Sequence, residues 1–196
     1  MKWLHQKIKT LSYENVEPDP AKPAVRRGAF QSCSSLSSLN APYVEDLQMY
    51  ACATGSLKQV NLPKAKQLAT AAFQGCIGLS NLELPAAETI GNYVFDECKN
   101  LQYLAVPNAK SFGSASMRNL SSIQVIDFSE RDTVAYSSVP DLPVDAMSNI
   151  NAAYDYKIVV PDSMYDAWIT AAVWSSTAIK PHIIKASEFE IATEQA

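Results

Sequence analysis

Glycine is scarce in this chain, with six in 196 residues, and histidine scarcer, with two. So few glycines leave no Gly-rich loop whose backbone amides would cradle a phosphate. His5 and His182 lie near opposite ends, and no Gly-x-Ser-x-Gly elbow occurs. A Ser-His-Asp or Cys-His pair therefore has little to be built from. There are four cysteines but no Cys-x-x-Cys, which argues against zinc. No uncharged apolar run approaches the roughly 20 residues of a membrane span. Charge of one sign is also lacking. The net charge is -4, and residues 1–27 hold six Lys/Arg against three Asp/Glu, so this segment is +3 and the remainder -7. An acidic body argues against a nucleic-acid groove, which needs clustered Lys and Arg. The start, "MKWLHQKIKT", is charged but has no apolar core and no small-residue cleavage site, so it does not read as a secretory signal. The expectation is a protein without catalytic site, metal or cofactor.

What the chain does have is a period. Pro42, Pro63, Pro85 and Pro107 are spaced by 21 or 22 residues. Leu36, Leu57, Leu79 and Leu101 form a second column, and Leu39, Val60, Leu82 and Leu104 a third. Phe30, Cys52, Phe73, Phe95 and Met117 step likewise, as do Leu47, Leu68, Ile90 and Phe112. Leu120-Ser-Ser-Ile123 continues the series in a degenerate copy. A unit of this length carrying L-x-x-L-x-L is the sequence pattern of leucine-rich repeats. Each unit makes one coil of a solenoid. In Leu79-x-x-Leu82-x-Leu84, Leu82 and Leu84 fall on one face of a short strand and point inward. The following Pro, lacking an N–H, ends the strand. No coil covers its own apolar face, so its neighbours must match it.

The units "AFQGCIGLSNLELPAAETIG" and "YVFDECKNLQYLAVPNAKSFG" resemble the BspA-like leucine-rich repeats of bacterial surface proteins. Phe73, Cys76, Leu79 and Pro85 carry that family's pattern, as do Phe95, Cys98, Leu101 and Pro107, and Phe30, Cys33, Leu36 and Pro42. The copy from Cys52 to Pro63 departs, with Thr54 in the Cys column. The C-terminal "YKIVVPDSMYDAWITAAVWSSTAIKPHI" is similar to the family's usual ending. The resemblance implies adhesion or protein recognition, often at the cell surface or outside the cell.

These readings predict a β-rich solenoid of about five coils of 21–22 residues with a C-terminal strand-helix cap. Residues 1–27 form a basic segment and Pro-rich linker that either docks as a cap or floats. Residues 28–128 form the repeat array and 129–155 an irregular loop with a poor repeat at Ala146 and Met147. Residues 156–196 form the capping strand and helix plus a tail. Tyr165, Trp168, Ile169 and Ala172 recur at helical spacing, with Ser163 and Asp166 at capping-box distance and Asp162 as the alternative cap. The cysteines are expected as small buried residues of stacked columns. Asp96 and Glu97 fall in a turn expected to be solvated, an unsuitable place for a carboxylate dyad.

Binding, if it follows geometry, uses the strand residues that alternate with the inward leucines. Gln59, Asn61, Asn81, Glu83, Tyr103 and Gln124 are the candidates, with Tyr103 as the aromatic anchor. The expected partner is a protein or a glycan, with no nucleic acid and no membrane insertion. The other expectation is a structural spacer in a larger assembly such as a phage tail or surface layer.

Overall fold

A computed structural model describes residues 9–12, 24–129, 138–150 and 155–189. The first coil holds β1 (Thr10–Ser12) and β2 (Ala24–Val25), and the second β3 (Ser38–Asn40) and β4 (Asp46–Leu47). The third holds β5 (Gln59–Asn61) and β6 (Gln67–Leu68), the fourth β7 (Asn81–Glu83) and β8 (Thr89–Ile90), the fifth β9 (Tyr103–Ala105) and β10 (Ser111–Phe112). Then come β11 (Val125–Asp127), β12 (Lys157–Val160), the helix α1 (Tyr165–Thr170) and β13 (Ile183–Lys185).

All pairing is parallel. The two-residue strands β2, β4, β6, β8 and β10 make one continuous sheet. The other strands make the opposite face, in two sheets: β1-β3-β5 and β7-β9-β11-β12-β13. Register follows the repeat. Leu39 pairs with Val60, Leu82 with Leu104, Leu104 with Ile126, Ile126 with Ile158 and Ile158 with Ile183. A third set of bonds joins the coils at their corners. Phe30 N–H donates to Ala51 C=O, Cys52 to Ala72, Phe73 to Val94, Phe95 to Ser116 and Met117 to Ala146, at 2.8–3.0 Å. Each coil is thus tied to the next on more than one side, which uses main-chain groups that burial would otherwise leave unpaired.

The interior is filled by the repeat columns. Leu57, Leu79 and Leu101 are fully buried, as are Phe73 and Phe95, whose rings stack 6.2 Å apart. All four cysteines are buried free thiols. Cys76 Sγ donates to Cys52 C=O and Cys98 Sγ to Phe73 C=O, both at 3.1 Å. Burial pushes the Cys52 thiol up, helped by the neighbouring Cys76 and Cys33. Hydrogen bonding to Cys76, then burial, does the same for Cys98. Asp96, in the turn after Phe95, is buried rather than solvated as expected, because its carboxylate is paired, taking Nε and Nη2 of Arg118 at 2.9 and 2.8 Å.

Four sequence expectations change. The strand face carries eight strands rather than about five coils' worth, because β1, β12 and β13 join it in register. In the degenerate copy the strand begins three residues later than the Leu120 alignment implies. Val125 pairs with Tyr103, so Ile123 and Ile126, not Leu120 and Ile123, occupy the leucine columns. The helix is short, ending at Thr170 because Ala171 turns extended (ψ 142°), which leaves Ala172 outside it. No side chain caps it. Asp162 instead accepts Ser187 N–H and Oγ–H at 3.1 and 2.5 Å, fastening the segment after β13 to the cap. Inside, Trp168 and Trp174 (centroids 4.6 Å apart) cover Phe128 and close the C-terminal end of the core.

Candidate binding face

Along the strand face the outward positions differ sharply in access. Gln59, Asn61, Asn81 and Glu83 are exposed, but Ala105, Asp127 and Val159, the outward positions at the ends of later strands, are buried. The open part of the face is therefore its third and fourth coils.

There the face is also broken. At the steps on either side, the carbonyl preceding one strand accepts two amides from the next coil. Ser37 C=O takes Lys58 and Gln59 N–H at 2.8 and 3.1 Å, and Ser80 C=O takes Gln102 and Tyr103 at 2.7 and 3.2 Å. Lys58 C=O accepts neither Ser80 nor Asn81 N–H, and β5 and β7 fall in separate sheets. The sheet on the opposite face stays paired through β4, β6 and β8. The result is a crevice of about 480 Å³ lined by Lys58, Gln59, Val60 and Asn61 on one wall and Ser80, Asn81 and Glu83 on the other, with Pro63 and Pro85 at one end. Val60, the smallest member of its column, is only half-buried as a result.

The crevice collects four of the six candidates read from the sequence. Asn61 is oriented by donating from Nδ2 to Asn40 Oδ1 at 2.8 Å. Tyr103 lies outside it, half-buried, with its hydroxyl donating to Asp127 Oδ2 at 2.7 Å. Asp127 also accepts the Ser129 N–H and Oγ–H at 2.8 and 2.5 Å. Gln124 precedes β11, so the outward strand positions of that coil are Val125 and Asp127. That correction follows from the register shift above. Sequence reasoning missed Lys58 and Ser80, because the repeat frame assigns their main-chain groups to the ladder. Only the missing bonds show otherwise.

Amide, hydroxyl, one ammonium and one carboxylate are hydrogen-bonding groups, suited to holding a polar ligand. No three His, Cys, Asp or Glu among the described residues are placed to hold a metal ion. His182 is occupied structurally, stacked 3.9 Å from the Tyr156 ring with Nδ1 3.0 Å from Tyr156 C=O. No helix among the described residues is long and apolar enough to cross a membrane.

The profile of the BspA type leucine rich repeat region matches residues 23–139 in six copies. The chain belongs to the BspA-type leucine-rich-repeat family. Family members are repeat modules that generally mediate protein binding and are typically not enzymes. Two solved structures are similar. A T. pallidum leucine rich repeat protein is 19% identical with a TM-score of 0.49, covering 71% of this chain and 72% of that one. A leucine rich cell surface protein from Faecalibacterium prausnitzii A2-165 is 16% identical with a TM-score of 0.36, over 94% of this chain and 62% of that one. No curated protein sequence matches significantly.

Proposed function

We propose that this BspA-type module is a non-catalytic recognition domain, adhesin-like, that binds a protein or glycan at a cell surface through its outward strand face. The observation that carries the reading is the crevice between β5 and β7. It is the place where exposed polar side chains from two coils converge on main-chain groups that the ladder leaves open. Recognition needs a few convergent polar groups in a concavity, and this supplies them. Screening the full chain against immobilised matrix proteins and a glycan array tests the reading. Saturable binding to either supports it, and an empty result on both removes it.

A second reading is a spacer in a larger assembly such as a phage tail or surface layer. It draws on β1 and β13, which lie at opposite edges of the strand face, where further strands can add. Light scattering decides: concentration-dependent growth of the particle favours the spacer, and a constant mass opposes it.

A further inference from the structure

We infer that the crevice is a slot for the main chain of an extended peptide, an assignment that rests on the recognition reading and names its ligand class. The first argument is the backbone. At the paired steps the far end of each strand is closed by one more bond, Ala41 N–H to Asn61 C=O at 3.0 Å and Leu84 N–H to Ala105 C=O at 2.9 Å. Across the crevice Leu62 N–H makes no such bond to Glu83, just as Lys58 C=O takes no amide from Asn81. An extended peptide laid over this break meets polar groups from two coils, its main chain giving affinity and its alternate side chains specificity.

The second argument is spacing. Gln59 and Asn61 on one wall, and Asn81 and Glu83 on the other, recur at two-residue intervals, about 6.6–6.8 Å. That is the distance between alternate residues of an extended peptide. A side-chain amide both donates and accepts, matching the N–H and C=O of a peptide bond. The third argument is what the lining leaves out. Among the described residues no aromatic ring lines the crevice, so a sugar finds no flat apolar surface for its C–H face. Lys58 and Glu83 stand toward opposite ends, favouring a peptide with an acidic group at the Lys58 end and a basic group at the other.

Width decides the mode. Cα atoms of β5 and β7 approach within 8 Å, against about 4.8 Å for paired strands and about 9.6 Å for two strands with a third between. The peptide therefore lies along the mouth of the crevice, bonded to the side-chain amides, and full insertion as a strand would need the walls to part further.

The test is an array of short synthetic peptides probed with the full chain, beside a glycan array. A selected peptide should lose about tenfold or more in affinity on backbone N-methylation, and a similar factor with Asn81→Ala or Glu83→Gln protein. Thr89→Ala, on the opposite sheet, should leave affinity unchanged. Selected peptides that ignore N-methylation and both crevice variants overturn the assignment while sparing the recognition reading. Glycan binding without peptide binding does the same. Binding to neither array overturns both. Folding of each variant is checked by its unfolding midpoint, and a misfolded Asn81→Ala is replaced by Asn81→Asp.

Discussion

Gly75 adopts φ +70° in open space, with nothing within 4 Å of where a Cβ would stand. An Ala there bears only the left-handed strain, about 1–2 kcal/mol. Gly78 is different. A Cβ on it would stand 2.5 Å from Leu57 C=O and 2.9 Å from Gly55 C=O, main-chain atoms that cannot rotate away. Gly78→Ala should therefore cost about 3 kcal/mol, the top of the overpacking range, and more than Gly75→Ala, as urea unfolding midpoints will show. Asp96 gives a second prediction at this scale. Burial alone would raise its carboxyl, but hydrogen bonds from Arg118, Gln74 and Asn119, with the Arg118 charge, hold it below the ordinary carboxylate value. A carboxyl lowered on folding stabilises the protein above its unfolded value, near 3.9, and that contribution is lost as pH falls through the folded value. Asp96→Asn should cost about 1–3 kcal/mol at neutral pH by leaving polar partners unsatisfied. The gap from wild type should shrink below about pH 4, measured by denaturant titration across pH.

The element that closes the core is the C-terminal cap. Trp168 is fully buried against Phe128 and Trp174, and Trp174 Nε1–H donates to Pro140 C=O at 2.8 Å. Trp168→Ala should lower stability by about 3–5 kcal/mol and open the core end to a hydrophobic dye. An unchanged midpoint and no dye signal would show that the cap is dispensable. The columns of leucine and phenylalanine were legible in the sequence because stacking forces equivalent residues into identical surroundings, and repetition betrays that. Other features left no such trace. Tyr50, Ala71, Tyr93 and Ala115 occupy left-handed conformations once per coil, aligned with Gly28, yet the column alternates Tyr and Ala and no single residue type marks it. The helix is shorter than its apolar spacing because Ala171 turns extended, and Asp162 bonds Ser187 instead of capping it, a choice set by distant chain. Four members of the candidate site were readable from strand alternation alone. The crevice that joins them was not, since missing hydrogen bonds have no residue signature.

At the scale of the whole molecule, the broken step makes a measurable prediction about hydrogen exchange. Amides that face the gap, those of Val60, Asn81 and Glu83, should exchange faster than the paired amides of Leu39 and Leu104. Equal protection would mean the two halves of the strand face are joined in solution. The opposite sheet, paired without interruption from β2 to β10, then takes on another role. Bending the stack toward that side opens the gap and stretches few bonds, whereas bending anywhere else must tear a ladder. The molecule has a spine on one side and a seam on the other, so bending under load should open the strand face at the seam while the corner bonds and the opposite sheet hold the two coils together.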